Sequence, residues 1–177
     1  MNIVSLITES ELKTIVPIST NNTITSPLRQ IMYQCQLQYV KTLICEDLYN
    51  ELVTQIATNT LTPANILLRE AYIPMLGWYI GYEWLPFDYA KAREQSLVNQ
   101  VNQESPYGTP VSDTTLTYMR GQYKSFAERS EIEFKKWLLV NQDNYPLWSP
   151  DCGCGCSVCG NTPCRCNIYN DTTWIVC

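Results

Sequence analysis

The sequence predicts a mainly α fold, a helical bundle of about four to five helices followed by an irregular cysteine-rich extension. Three observations predict it. Apolar residues recur at steps of three and four over long stretches. Recognisable helix starts punctuate those stretches at Thr8, Ser26-Pro27 and Pro63. The composition then changes abruptly after Tyr145-Pro146. The 177 residues suit one helical domain, 1–148, and a small appendage, 149–177.

The first helix starts at Thr8, where Thr8 and Glu11 form the spacing of a capping box. It ends before Pro17, which disfavours the α conformation in Val16. Residues 18–25 read as a loop. Ser26 as N-cap and Pro27 at the first helical position open a long helix. Its expected buried face is Leu28, Ile31, Met32, Cys35, Tyr39 and Leu43, with Gln30, Gln34, Gln38 and Lys41 between. The pattern goes on through Leu48, Leu52 and Ile56, with a bend or break expected near Cys45.

Asn59 to Thr62 reads as a linker, and Pro63 begins an unusually aromatic helix carrying Tyr72, Trp78, Tyr79, Tyr82 and Trp84. Pro74 should kink it, and Pro86 should end it before a polar stretch, Asp88 to Glu104. Gly77 and Gly81, four apart, share a face where another element can come close, and core packing is the expected use. Ser105 to Pro110 is a loop. Ser112 or Asp113 caps a last helix reaching about Val140. Its expected apolar face is Leu116, Met119, Tyr123, Phe126, Ile132 and Leu138/Leu139, with Glu131 and Lys135 paired on the outside. In the extension, residues 167–169 and 172–176 read as short strands.

Charge and composition exclude several functions. Hydrophobic residues are 45% and charged residues only 16%, against about 25% in an average soluble protein. A lightly charged surface rich in tyrosine suits broad protein contacts. The net charge is −5, and the only close basic pair is Lys135-Lys136, so sequence-specific nucleic-acid binding, which needs clustered cations, is not expected. There is no histidine, which removes the commonest general base and metal ligand. No apolar run reaches the roughly 18 residues of a membrane span. Residues 1–12 lack a basic region and do not read as a signal peptide, so a reducing cytoplasm is the expected site of synthesis. No phosphate loop, nucleophile elbow or triad is present, and no enzyme activity is expected. Glu46, Asp47 and Glu51 read as a solvated helix face, and Glu83 and Asp88 flank the aromatic segment without promising a cleft.

Seven of the nine cysteines lie in residues 150–177. Six of them, Cys152, Cys154, Cys156, Cys159, Cys164 and Cys166, fall within fifteen residues. Two short-range pairs, Cys156/Cys159 and Cys164/Cys166, joined through Gly160 to Pro163, supply the four thiolates of a closed, structural zinc site. Cys152 and Cys154 are then spare or replace members of that set. Two bridged zinc ions, disulfides, free thiols and, lower in rank, an iron–sulfur cluster are the other readings. Cys35 and Cys45, inside helical patterns, read as buried thiols. Cys177 reads as free or as a distant partner.

The order of features resembles a known family. A short capped helix (Leu6-Ile7-Thr8-Glu9-Ser10-Glu11-Leu12-Lys13, then Ile15-Val16-Pro17-Ile18) precedes a helix opening Ser26-Pro27-Leu28, which leads into Leu48-Tyr49-Asn50-Glu51-Leu52. A kinked aromatic helix, a polar loop and a final amphipathic helix follow. Over residues 3–145 this resembles the head–tail connector (adaptor) proteins of tailed bacteriophages, most of all the ring proteins stacked below the portal in crAss-like phages. The resemblance implies a structural virion subunit, assembled in the host cytoplasm into a twelve-fold ring. It further implies docking to the portal protein at one end and to a neighbouring ring or tail protein at the other. On the same resemblance DNA would pass through the lumen without specific binding, and residues 140–177 are expected to reach across neighbours. The alternative is a zinc-knuckle module for protein or nucleic acid. Such a module usually carries basic residues among its cysteines, and here only Arg165 lies there.

Overall fold

The computed structural model describes residues 4–17, 26–101 and 113–150, with the backbone alone for Ser26 and residues 91–101. The described part is helical, as the sequence predicts. Its helices are α1 (Glu9–Ile15), α2 (Ser26–Cys35), α3 (Thr42–Ile44), α4 (Glu46–Thr58), α5 (Pro63–Val101) and α6 (Asp113–Val140). A π-helical stretch, Gln36–Lys41, joins α2 to α3, and a 3-10 turn, Gln142–Asn144, follows α6. The expected loop at 105–110 and the expected strands at 167–169 and 172–176 lie outside the described residues.

Local chemistry sets most of the helix ends. Thr8 forms the capping box: the Glu11 N–H donates to Thr8 Oγ1 at 3.3 Å, and the Thr8 N–H donates to Glu11 Oε2 at 2.7 Å. Asn59 closes α4 in the left-handed conformation, φ 56° and ψ 42°. The Thr60 N–H returns to Gln55 O and the Asn59 N–H to Ile56 O, at 2.9 and 3.2 Å, the Schellman pattern. Thr62 then caps α5, its hydroxyl accepting from the Asn65 N–H at 3.2 Å, with Pro63 at the first position where no N–H is needed. Asn65 itself is buried and donates to Glu51 Oε1 and Gln55 Oε1, both at 2.9 Å, which locks the end of α4 to the start of α5.

α5 is the central element, packed against α6, α2 and α1. Leu68, Tyr72, Met75, Leu76, Tyr79, Ile80 and Trp84 are buried along it, and Ala71, Ile73, Trp78, Tyr82 and Leu85 pack partly. A helix buried nearly all round needs neighbours on every side. Contrary to the expected break at Pro86, α5 runs through both Pro74 and Pro86 to Val101. A proline removes one backbone bond and crowds the carbonyl four residues back, but it does not forbid the helix where the flanking turns are held by packing. Leu85 packs beside Pro86, and Trp84 and Phe87 stack around it with ring centroids 6.0 Å apart.

The π stretch corrects the expected face of the α2 rod. Its i→i+5 turn inserts one extra residue, so the buried set moves from Leu28, Met32 and Cys35 onto Gln36, Val40 and Ile44, while Tyr39 and Leu43 are only partly buried. Gln36, 1% exposed, is satisfied in full: the Leu6 N–H donates to its Oε1 at 3.1 Å, and its Nε2 donates to Val4 O at 3.0 Å and Tyr49 Oη at 3.1 Å. The N-terminal strand of backbone is thereby fixed against the rod, and Tyr72 adds a bond to Leu6 O at 3.3 Å.

Gly77 and Gly81 admit the end of α1. A Cβ on Gly77 would lie 2.8 Å from Ile15 Cδ1, and one on Gly81 would lie 2.8 Å from Val16 Cγ1 and 3.3 Å from Tyr123 Cδ2. The close approach expected for this pair is thus core packing. Arg69 secures the same helix by pairing with Glu11 at 2.6 Å. Burial alone raises the Glu11 carboxyl, but hydrogen bonds from Arg69 and Thr8 outweigh it and hold the group below the usual glutamate value.

Two outcomes are expected. Gly81→Ala meets stiff, β-branched Val16 on one side and Tyr123 on the other, and lowers stability by about 1–2 kcal/mol after the helix-propensity gain is subtracted. Gly121→Ala, with nothing within 4 Å, raises it by about 0.5–1 kcal/mol; urea melts of the two variants check both signs. Glu11 has a depressed folded pKa, so its stabilisation is present above the unfolded glutamate value and is lost as pH falls through the folded one. The stability gap between the wild type and Glu11→Gln should therefore be open at neutral pH and close in acid.

Candidate functional site

The six cysteines singled out in the sequence, Cys152 to Cys166, lie outside the described residues, as does Cys177. Among the described residues no group of three or more acidic, cysteine or histidine side chains is placed to hold a metal. The acidic group on α4 is divided among structural tasks. Glu46 pairs with Lys41 at 2.6 Å, and Glu51 accepts from Gln55 and Asn65. Glu83 accepts from Tyr39 Oη at 3.3 Å and faces Arg120 at 3.8 Å.

The surface feature that stands out is on α6. Tyr123, Ala127, Phe134 and Leu138 form its buried stripe. Tyr118, Ile132 and Val140 are exposed at 67, 53 and 83%. At about 100° per residue these three fall within an arc of about 80°, on the side opposite the buried stripe, an outer face they share with Gln122, Ser125, Arg129 and Lys136. Phe126 and Ile132, expected in the core, therefore lie outside it: Ile132 is on the outer face, and Phe126 leans over Trp78 with centroids 4.8 Å apart. The sequence signal was there, because seven apolar residues could not all fit one stripe.

Beside this outer face runs a groove of about 570 Å³ between α5 and α6. Ala71 and Pro74 form one wall and Trp137 and Val140 the other, with Arg129 and Lys136 at its edge. Leu67, 55% exposed, stands one turn before Ala71 on the same face of α5 and extends the apolar surface.

Below this surface α5 and α6 are tied by polar contacts. Tyr39 and Tyr79 stack with ring centroids 3.6 Å apart, and Tyr79 Oη donates a short hydrogen bond to Glu131, which also pairs with Lys135. Burial first, and then the Glu131 carboxylate, push the Tyr79 hydroxyl far above the ordinary tyrosine value. Arg120 lies over the Tyr82 ring at 4.4 Å. These hydrogen bonds, ion pairs and ring contacts hold the α5–α6 hairpin together.

A second unusual place is the junction of α3 and α4. The expected break is at Cys45, but its geometry is unusual: φ 70° and ψ 159°, a region almost reserved for glycine, costing about 1–3 kcal/mol. The expectation of a buried thiol fails here. Cys45 is only partly buried and is disulfide-bonded. The segment after α6 comes back to this point: Tyr145 Oη donates to Ala64 O at 2.7 Å, Trp148 Nε1 to Leu43 O at 2.9 Å, and the Ser149 N–H to Cys45 Sγ at 3.3 Å. Cys35, by contrast, is the buried free thiol expected, its pKa pushed up to about 12 by burial and then by Glu83.

Both features, the α5–α6 hairpin and the Cys45 junction, fall inside one family match. The family model described as "Family of unknown function (DUF6712)" matches residues 40–158. The chain belongs to the DUF6712 family. The match covers two thirds of the chain and runs from the π stretch into the first cysteines of the extension, so the DUF6712 unit includes Cys45 and Cys152, Cys154 and Cys156. No curated protein and no solved structure matches the chain.

The contrast between the two cysteines of the body is testable. In the folded protein at neutral pH, Cys35 should resist iodoacetamide, because both access and thiolate population are suppressed. It should react once urea unfolds the chain, as read by mass spectrometry.

Proposed function

We propose that this protein is a structural virion subunit that forms a dodecameric ring between the portal and the tail of a tailed bacteriophage. The ring passes DNA through its lumen and serves as a docking platform for its neighbours. The observation that carries the reading is the apolar groove between α5 and α6, walled by Ala71, Pro74, Trp137 and Val140 on a long, braced hairpin, with Tyr118 and Ile132 also exposed on the outer face of α6. An exposed apolar face of this kind is the signature of a protein contact, and a neighbouring copy of the same chain is the occupant a closed ring provides. Head-to-tail contacts that close require two different surfaces on each subunit; the outer face of α6 and the groove, which share Val140, supply one of them. The twelve-fold symmetry and the place in the virion rest on the resemblance of the sequence to connector proteins. The net charge of −5 suits a lumen that repels phosphates and does not grip them.

The cysteine-rich extension takes the role of a stapled tail that reaches a neighbour, held by one structural zinc on four of the six clustered thiols. A segment so short has little core of its own and needs such a staple. Seven cysteines after residue 150 leave enough for a four-thiolate site even after one is given to a disulfide. About one zinc per chain, lost on chelation together with the fold of the extension, is the expected metal analysis; a metal-free chain with the cluster oxidised sinks the zinc.

The ring is tested on the purified full chain by native mass spectrometry and negative-stain imaging. A uniform twelve-fold ring is expected in place of a 20.4 kDa monomer. Substituting Ile132→Asp and Val140→Asp together should leave the helical circular dichroism unchanged and dissolve the ring, because each neighbour contact then buries unpaired carboxylates. A wild type that stays monomeric, with or without portal protein, overturns the proposal, and so does a double variant that assembles normally.

A further inference from the structure

The hairpin and its stripe leave Cys45 unexplained. A break between two short helices calls for a residue that tolerates positive φ, and glycine meets that need without strain. Here a cysteine occupies it at φ 70°, although the only other non-glycine residue with positive φ among those described is Asn59, in an ordinary helix cap. The strained place is held by a side chain that is disulfide-bonded. The other cysteine of the helical body, Cys35, is free. The remaining seven cysteines of the chain all follow residue 150.

We propose that Cys45 is the covalent anchor of the cysteine-rich segment, joined by a disulfide to a cysteine after residue 150 of its own chain. The route of the backbone supports an intrachain bond. Trp148 and Ser149 are docked on the α3–α4 junction, and the Ser149 N–H points at the Cys45 sulfur from 3.3 Å. Cys152 follows three residues later and Cys154 five. Three extended residues span at most about 10 Å, and a disulfide asks for a Cα separation of only about 4.4–6.8 Å. The chain therefore enters its cysteine cluster beside the sulfur it is to reach. Cys35 cannot compete, since it is buried on the other side of the π stretch, within α2.

The chemistry is thiol–disulfide exchange with a small disulfide oxidant. A thiolate of the segment attacks the oxidant's S–S bond and releases one reduced thiol. The Cys45 thiolate then displaces the second, forming the protein S–S bond. Two protein thiols are oxidised, one disulfide of the oxidant is reduced to two thiols, and the protons move with them. The oxidised chain carries its extension fastened at the α3–α4 junction. The reduced chain keeps only the contacts through Tyr145, Trp148 and Ser149. The proposal is independent of the ring reading, because it concerns linkage within one chain.

The experiment is disulfide mapping on the full chain. The protein is equilibrated with oxidised glutathione, unfolded, alkylated with iodoacetamide, digested without reductant and analysed by mass spectrometry. The expected result is a Cys45 peptide joined to a peptide from residues 151–177, with Cys35 alkylated, and conversion of Cys45 to the alkylated form when a reductant precedes alkylation. Recovery of alkylated Cys45 from the oxidised sample overturns the proposal, as does a bond between the Cys45 residues of two chains. Cys45→Ser and Cys45→Gly should keep the helical circular dichroism. Both should speed tryptic cleavage at Arg165 several-fold over the oxidised wild type, as reduction of the wild type should. Unchanged cleavage in all three samples counts against the anchor.

Discussion

Between Met75 and Trp84 the central helix α5 has almost no side left for water, and the arrangement of the other elements follows from that. α6 covers one side through Tyr123, Ala127, Phe134 and Leu138, the α2 rod covers another, and α1 fills the last where Gly77 and Gly81 present no side chain. A helix with this much aromatic and aliphatic surface cannot be stable alone in water, since each large side chain left exposed forfeits about 1.5–3 kcal/mol. Its burial also accounts for its continuity. Two prolines would weaken an isolated helix enough to break it, but here buried Met75 and Leu76 follow Pro74 and buried Trp84 precedes Pro86, and the helix persists.

Packing of this kind is unforgiving of polar groups; Trp84 Nε1 and Arg120 Nε are buried without a hydrogen-bond partner, but the two buried amides among the described residues are paired. Gln36 reaches Val4, Leu6 and Tyr49 and so carries the N-terminal backbone onto the rod. Asn65 bridges Glu51 and Gln55 and sets the turn from α4 into α5. Each is a place where losing one partner strands the others, so each specifies one arrangement over its near alternatives. Gln36 joins the N-terminal backbone to the π stretch and α4, and Asn65 joins α4 to the start of α5. The π stretch belongs to the same logic. The extra residue in that turn brings Gln36, and not Tyr39, to the buried side, where its three partners wait.

The fold was largely legible in the sequence because its punctuation is chemical. Thr8 with Glu11, Thr62 before Pro63, Asn59 at the end of α4 and the break at Cys45 are all set by local groups. What escaped depends on tertiary context. The run of α5 past Pro86 reflects packing that no local rule counts. The one-residue shift at Gln36 is invisible to a strict step of three and four. Phe126 and Ile132 could not be assigned to the right side of α6, because apolarity marks a contact without saying whether its partner is in the same chain. That last ambiguity is the candidate site itself. The oxidised state of Cys45 was hidden for a different reason, since helical spacing made a thiol look like one more core residue.

A helix with exposed apolar residues opposite its buried stripe poses a physical problem that the body alone does not solve. The stripe is buried against α5. The outer face leaves Tyr118, Ile132 and Val140 in water among Gln122, Ser125, Arg129 and Lys136, in a chain with few charges to keep copies apart. Unsatisfied, such a face invites open-ended association. Three features direct it toward a defined contact instead. The hairpin beneath it is braced by the Tyr79–Glu131 bond and the Tyr39–Tyr79 stack, so the outer face presents a fixed shape. Lys124, Glu128, Glu133 and Lys136 pair along α6 and flank the apolar positions with charge, which penalises misaligned approaches. The adjoining groove shares Val140 with this face, so the two form one continuous surface on the α5–α6 hairpin. A surface held at a fixed shape offers every partner the same geometry, which a repeated interface requires.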